Sequence, residues 1–458
     1  MEGLEISEIK MSFLKKENRT FRIDSNFFIK KSLSVDNKIK SMNHFYISEE
    51  NIVSGPFGSS LKSDAYLNAG VPFIRIENIK NGFSISTDNL IYISEFDNSR
   101  LKSSQLFEDD LILSKVGNTI GYYARVDSNI KNCNISENNI GIKLNSYNRD
   151  VKHYIMTFLN SKYGNILTLR RISGNAQPKL NVFDISEIPI PQFNEEFYKK
   201  ISDKIIKADE LKQHSKSLYS QAEDLLLGEL GLKEWQPKNT LHTTKKFSDF
   251  AQSGRLDAEY YQPKYDDLFE KLSCLNCKRL GKIVSIKKSF DPGSDAYQET
   301  GIPFIRVSDI SKDGIEKTEL HLSPIDFDIP ELKPKKDTIL FSKDGSIGIA
   351  YKVQSDLNVF TSGALLHLVT TDSSILPDYL TLVLNSVVVK LQAERDSNGA
   401  IIQHWKPSDI ENVIIPILPE QIQKKIASLI QQSFECRAQS KQLLEDAKRM
   451  VESEIEKN

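Results

Sequence analysis

Asp64-Ala65-Tyr66, followed by Gly70-Val71-Pro72-Phe73-Ile74-Arg75-Ile76-Glu77-Asn78-Ile79, recurs as Asp295-Ala296-Tyr297, followed by Gly301-Ile302-Pro303-Phe304-Ile305-Arg306-Val307-Ser308-Asp309-Ile310. Self-similarity at a long offset decides architecture before any single motif does. Further pairs keep the same order along the chain. Arg22-Ile23-Asp24 with Phe27-Phe28 matches Arg255-Leu256-Asp257 with Tyr260-Tyr261, and Ser114-Lys115-Val116-Gly117 before Ile120-Gly121 matches Ser342-Lys343-Asp344-Gly345 before Ile347-Gly348. Leu159-Asn160-Ser161 matches Leu384-Asn385-Ser386, Gly174 matches Gly399, and Ile190-Pro191 matches Ile415-Pro416. Chance would not preserve that order, so the chain reads as a tandem duplication with two pseudo-equivalent lobes.

Within each half the apolar period changes once. The first part carries short runs rich in Ile, Val, Phe and Tyr, such as 71–76 and 110–113, bounded by Gly, Asn and Asp turns, which predicts strands. A helical stretch is expected near 154–168 and its counterpart at 379–393. The second part is different. Phe197, Ile201, Lys204, Ala208, Leu211, Ser215, Leu218, Ala222 and Leu225 follow a 4,3 spacing, as do Ile422, Ile426, Leu429, Ser433, Cys436, Ser440, Leu443, Ala447 and Met450. Such a narrow stripe predicts a helix seam of the coiled-coil kind. The alternative, each stripe packing on its own lobe, asks for a wider apolar face. Pairing would be antiparallel, because the chain builds a whole lobe between the two helices, and Ser215 and Ser440 would fix its register. The expected fold is α+β, with two mixed α/β domains at 1–193 and 233–418 joined by long helices at 194–232 and 419–458.

The 458 residues carry 60 Lys and Arg against 62 Asp and Glu, a formal net charge of -2, with 39% hydrophobic and 27% charged residues. That composition is ordinary for a globular protein and excludes collagen-like and broadly disordered classes. It also argues against a uniformly basic surface. By segment, residues 1–193 hold 24 Lys and Arg against 21 Asp and Glu, while 241–418 hold 21 against 25. Neither lobe carries enough positive charge to attract a nucleic acid through bulk field. The N-terminus shows no secretory pattern and no long apolar run occurs, which predicts a cytoplasmic protein without a membrane span. Cys274 and Cys277 form a lone C-x-x-C with no second pair to complete a zinc site, and no metal is expected.

Reactive constellations are missing. There is no phosphate-cradling G-x-x-x-x-G-K-[ST], no G-x-S-x-G and no H-E-x-x-H. The Asn/Asp-Pro-Pro-Tyr/Phe signature of base-amino methyltransferases is absent too. Glu331-Leu332-Lys333 faintly resembles the end of a nuclease motif but has no Pro-Asp upstream. The expectation is a chain with no catalytic residues and no cofactor.

Gly55-Pro56-Phe57-Gly58-Ser59-Ser60-Leu61-Lys62, Gly70 to Arg75, and Ser173-Gly174-Asn175-Ala176-Gln177 leading into Ile188-Pro189-Ile190-Pro191 and a long helix resemble the DNA-specificity subunit of type I restriction-modification systems. The second half repeats the set with Arg255 to Tyr261, Gly301 to Arg306 and Ser397-Asn398-Gly399 before Ile415-Pro416. The resemblance implies two target-recognition domains, each reading half of a bipartite double-stranded DNA target, joined by two helices paired as an antiparallel coiled coil. It implies two methyltransferase subunits docked on the helices and using S-adenosylmethionine, with motor-nuclease subunits using ATP. One departure stands out: Phe290-Asp291-Pro292-Gly293-Ser294 replaces the Phe-Gly-Ser-Ser-Leu-Lys form, so the lobes are expected to read different half-sites. The alternatives are the specificity subunit of a related two-subunit, type IIB-like system and a coiled-coil adaptor that binds proteins only.

The candidate phosphate contacts in the first lobe are Lys62, Lys80, Lys115, Arg170, Arg171 and Lys179, with Asn118, Asn175 and Gln177 as base readers, since Asn and Gln pair bidentately with adenine. In the second lobe they are Lys343, Ser346, Arg395, Asn398, Gln403, His404 and Lys406. Each is weighed against a solvated group or turn former. Arg75 and Arg306 recur at equivalent places, which favours fold support over reading two different sequences. Gly117, Gly121, Gly345 and Gly348 are expected in tight turns with positive φ.

Overall fold

The computed structural model describes residues 8–17, 22–56, 58–79, 82–87, 89–117, 119–174, 178–238, 240, 242–316, 318–327, 329–399 and 403–458, with only the backbone described at 13, 16, 17, 59, 252 and 253. It is a mixed α/β chain that divides into two compact units, Met1–Leu211 with Ala438–Asn458, and Lys212–Arg437.

The first unit holds a five-stranded sheet in the order Ile52–Ser54, Asn139–Ile142, Leu111–Ser114, Tyr123–Arg125, Phe83–Ser84. A second sheet runs Ile91–Ile93, Val71–Ile74, Asn132–Ile135, Leu106–Phe107, with Val71–Ile74 and Asn132–Ile135 parallel. Leu111–Ser114 is buried at every position, which is why it reads as an unbroken apolar run rather than an alternating one. In the second unit the order Val284–Lys288, Leu365–Thr370, Ile339–Ser342, Ala350–Lys352 repeats the first four strands of the larger sheet. Ile302–Ile305 again pairs in parallel, with Phe360–Thr361. The sequence repeat is thus a repeat of strand order within each unit.

The helical stretch expected at 154–168 is two helices, Arg149–Leu159 and Lys162–Arg171. Ser161 divides them: its Oγ accepts a hydrogen bond from the Gly164 amide at 3.3 Å and caps the second helix. The counterpart likewise divides into Pro377–Asn385 and Val387–Asp396. In each unit a tyrosine of the earlier helix holds the strand that precedes the long helix. Tyr154 Oη donates to the Pro191 carbonyl at 2.6 Å and Tyr379 Oη to the Pro416 carbonyl at 2.7 Å.

The long helices run Glu195–Glu229 and Glu420–Lys457. In the first unit Tyr198, Ile201 and Ile205 enter the same core as Ala447, Val451 and Ile455, and Ser440 Oγ donates to the Ala208 carbonyl at 2.7 Å. In the second, Tyr219, Ala222 and Leu226 share a core with Ile426 and Ile430, while Ser215 Oγ lies 3.0 Å from Ser433 Oγ. Ser215 and Ser440 are buried and each bonds to the other helix. The strict stripe needs correcting at its alternate positions. Ile201, Ala208, Leu218, Ala222, Ile426 and Ala447 are buried, whereas Leu211, Leu225, Leu429, Cys436, Leu443 and Met450 are only half-buried. Ile205, Leu226, Ile430 and Val451 are buried instead. The apolar face is wider than a seam because each half of a helix also packs on the sheet-bearing lobe of the unit it lies in.

A buried cation fastens each lobe to a helix. Arg125 Nη1 lies 2.7 Å from Asp109 Oδ1, and the same guanidinium pairs with Asp209 of the first long helix. His153 stands between Asp109, at 3.3 Å, and Ser202 of that helix, at 3.0 Å. Burial pushes the Asp109 pKa up, but the His153 hydrogen bond and the Arg125 charge outweigh it and hold the carboxyl below its usual range. In the second unit Lys352 Nζ sits 3.2 Å from Asp337 and 3.1 Å from Asp378, which accepts from Gln431 of the second long helix at 2.9 Å. Asp109 and Asp337 share a left-handed backbone, with φ of 70° and 66°.

His367 gives the second unit a pH dependence. Burial, helped by the Lys287 charge, depresses its pKa from 6.5 to about 4, and its Nε2 lies 2.7 Å from Thr361 Oγ1. The unfolded chain takes up a proton below pH 6.5 that the folded chain refuses, so stability is complete above 6.5 and falls as the pH drops toward 4. At pH 5 the loss is about 2 kcal/mol, at roughly 1.4 kcal/mol per pH unit. Urea unfolding followed by tryptophan fluorescence at pH 7 and pH 5 checks this, and His367→Asn is expected to flatten the dependence.

Candidate nucleic-acid interface

In the first unit the strand Leu111–Ser114 runs into the turn 115–121, and the helix Lys162–Arg171 runs into a segment that leaves at Ser173 and returns at Lys179. The two are tied together. Ser173 and Lys179 exchange backbone hydrogen bonds of 3.0 and 2.9 Å, and the Leu180 amide donates to the Lys115 carbonyl at 2.9 Å. Gly117, Gly121 and Gly174 have φ of 86°, 97° and 90°, so the turn needs glycine as its spacing suggested.

The second unit repeats this backbone. Asn398 and His404 exchange bonds of 3.0 and 2.7 Å, and the Trp405 amide donates to the Lys343 carbonyl at 2.8 Å. The Gly345 amide reaches the Gln403 carbonyl at 2.9 Å. Gly345, Gly348 and Gly399 have φ of 73°, 82° and 108°. Trp405 is buried against Phe341, with ring centroids 5.7 Å apart, and Leu180 fills the equivalent place in the first unit. An apolar plug therefore anchors each two-loop surface to its sheet.

Side chains differ where the backbone agrees. Val116 stands where the second unit has Asp344. Asp344 pairs with Lys343 and, at 2.8 Å, with His404 Nδ1. The second surface thus carries a counter-charge at the position where the first has Val116, in line with the opposite balances of the two lobes. Beside Gly117 lies a cleft of about 640 Å³ whose lining includes Tyr66, Phe73, Arg75, Glu77 and Glu137.

Of the sequence candidates, Lys115 and Lys179 come together in the first unit, and Lys343, Asn398, Gln403 and His404 in the second, with Lys179, Asn398, Gln403 and His404 exposed. Ser346 is exposed in the glycine turn, its carbonyl accepting from Ser342 Oγ. Lys62 and Lys406 are exposed. Lys80, Asn118, Asn175 and Gln177 lie outside the described residues. Arg170 and Arg171 must be corrected. They are 4% and 6% exposed, and Arg170 Nη1 lies 2.8 Å from the buried Asp36, so neither faces a phosphate. Arg395 is likewise engaged: it grips Asp396 with two nitrogens at 2.7 and 3.1 Å and covers the Phe269 ring at 4.4 Å. Arg75 pairs with Glu77, and its amide donates to Asn78 Oδ1 at 3.0 Å; Arg306 repeats that turn with Asp309 at 2.8 Å. Both shape a turn.

Asn160 and Asn385 were quoted in the repeat without a role. Asn160 brackets the Tyr123 backbone, accepting from its amide at 3.1 Å and donating to its carbonyl at 2.8 Å, and Asn385 does the same to Ala350 at 3.0 and 2.8 Å. The signal was their recurrence in Leu-Asn-Ser. Among the described residues no group of three or more His, Cys, Asp or Glu could hold a metal, and no helix is long and apolar enough to cross a membrane.

Residues 276–449 match the family model of the type I restriction modification DNA specificity domain. The MjaIX type I restriction enzyme specificity subunit of Methanocaldococcus jannaschii is 26% identical over 402 residues, covering 84% of each chain. The EcoBI specificity subunit of Escherichia coli is 27% identical over 145 residues, 31% of this chain and 30% of that one. Among solved structures, the S subunit of a type I restriction-modification system from M. genitalium covers 90% of this chain and 95% of its own at 14% identity, with a TM-score of 0.38. The HsdS subunit of Thermoanaerobacter tengcongensis covers 89% and 95% at 14% identity, with a TM-score of 0.30.

Proposed function

We propose that this chain, a member of the type I restriction-modification specificity-subunit family, reads a split double-stranded DNA target with one half-site per unit and carries no catalytic chemistry of its own. The observation that carries the reading is the doubled surface: one backbone frame of glycine turn and returning segment in each unit, filled with different side chains. A shared frame with unlike side chains suits two readers of two different short sequences, since base contacts specify and the frame only positions them. The long helices act as an antiparallel coiled-coil spacer and as the dock for two methyltransferase subunits. In support, Ala208 meets Ser440, and Ser215, one heptad on, meets Ser433, one heptad back. S-adenosylmethionine and ATP belong to the methyltransferase and motor-nuclease partners. The near-neutral charge fits weak binding by the chain alone, with much of the affinity coming from the assembly.

Mapping adenine methylation in the genome of the source organism, with and without this gene, tests the proposal. The expected result is loss of modification at one pair of short motifs separated by a fixed, unspecified gap. Loss at a single continuous motif, or no change, would refute two-unit reading.

A further inference from the structure

The repeated Arg-x-Asp motif is not used by the surface described above, yet in both units it reaches the helix end from which the candidate reading segment departs. Arg22 binds Asp24 through Nε at 2.8 Å and Nη2 at 2.9 Å, and it also turns its guanidinium on the helix Lys162–Arg171. Nη1 donates to the Arg171 carbonyl at 3.0 Å and Nη2 to the Ile172 carbonyl at 2.7 Å. The Phe27 ring lies 4.8 Å from the guanidinium carbon. In the second unit Arg255 grips Asp257 at 2.8 and 2.6 Å and donates to the Asp396 carbonyl, the last of the helix Val387–Asp396, at 3.4 Å. The Tyr260 ring stands at the same 4.8 Å.

The chemistry explains the choice of residues. The last carbonyls of a helix lack intrahelical donors and carry the negative end of its dipole. A guanidinium presents five donors in a rigid plane, so it can hold a carboxylate along one edge and carbonyls along another, which a lysine cannot. Asp24 and Asp257 fix that plane, and the hydrogen bond from the arginine lowers the pKa of each. One residue beyond the capped carbonyls, the chain leaves at Ser173 in the first unit and Ser397 in the second. The motif recurs although the departing segments differ in sequence, so it serves something both units share, which is the exit direction rather than the bases read.

We propose that Arg22 with Asp24, and Arg255 with Asp257, are positioning residues for DNA reading: each pair caps the helix behind its unit's reading segment and fixes the direction in which that segment leaves. This rests on the two-unit reading proposed above. Each pair then acts on one half-site only.

The test uses the full chain assembled with its methyltransferase partners and a duplex library in which each half-site is randomised in turn. Arg22→Lys keeps the charge and loses the fork; it is expected to relax discrimination at one half-site by roughly tenfold or more, the scale set by a mismatched base pair, and to leave the other unchanged. Arg255→Lys is expected to do the reverse, and Asp24→Asn, a milder change, to follow Arg22→Lys in kind. The salt dependence of binding should not move, because lysine keeps the charge and each guanidinium is turned onto its aspartate and the helix end. Equal relaxation at both half-sites, or a lowered melting temperature with discrimination intact, would overturn the positioning role while leaving two-unit reading in place. A wild-type assembly that selects no bipartite target would overturn both.

Discussion

Replacing Asp36 with alanine is expected to destabilise the first unit by about 3–5 kcal/mol, the range for removing one partner of a buried ion pair. Asp36 is 1% exposed on the helix Lys30–Ser41, with Arg170 Nη1 at 2.8 Å, Lys40 Nζ at 3.0 Å and Arg171 Nη2 at 3.9 Å. Its burial raises the carboxyl pKa, and the three cations reverse this, so the net shift is downward. The carboxylate therefore contributes stability at and above its unfolded pKa of 3.8, and the contribution is lost as the pH falls through the lower folded value. Alanine leaves Arg170, whose side chain is 2% exposed, without its counter-charge. Removing both charges, as in Asp36→Leu with Arg170→Met, is expected to recover most of the loss, since a buried pair replaced whole is often neutral. The chain has two tryptophans, Trp235 and Trp405, both in the second unit. Urea unfolding followed by circular dichroism should show the earlier transition of the first unit, while tryptophan fluorescence holds its midpoint; a shift in fluorescence alone would count against the assignment.

That pair also shows where sequence reading stops. Arg170-Arg171 beside a Gly-Asn turn looks like a phosphate cluster, and nothing local reveals that Asp36, more than a hundred residues earlier, neutralises it. Repetition succeeds where locality fails. Arg75 and Arg306 were read as fold support because they recur, and both backbones close the same turn on Asn78 and Asp309, through the amide rather than the guanidinium. The likeness of the two units was legible as recurring fragments, because the same short apolar runs form the strands of both; the order of those strands in the sheets was not. The loop surfaces were legible as glycine positions, since positive φ leaves a residue-type signature. Side-chain pairing across them, such as Asp344 between Lys343 and His404, was not, because contact between loops far apart in the chain leaves no period. The helices fall between these cases. Their length and phase followed from heptads, but a two-in-seven stripe could not report the extra row at Ile205, Leu226, Ile430 and Val451, which belongs to helix–lobe packing.

Inserting one heptad into each long helix, between Leu211 and Lys212 and between Cys436 and Arg437, is expected to abolish recognition of the native target and create a new one. Seven residues add about 10 Å of helix at 1.5 Å per residue. At 3.4 Å per base pair that lengthens the gap by about three base pairs. A heptad keeps the seam facing its partner, and the two sites lie opposite one another in the register defined by Ala208 with Ser440 and Ser215 with Ser433. Neither two-loop surface is touched, so both half-sites should be conserved base for base. Three base pairs also rotate one half-site by more than a quarter turn relative to the other, at 10–10.5 base pairs per turn. The new target is therefore expected to bind more weakly than the native one, by the energy needed to twist the intervening duplex. Inserting the heptad into one helix alone slides the paired seams out of step and should give no defined target. Methylation mapping with the altered gene reads all three outcomes, and an altered half-site in the doubly extended chain would defeat the spacer role, because spacing and reading would then not be carried by separate parts.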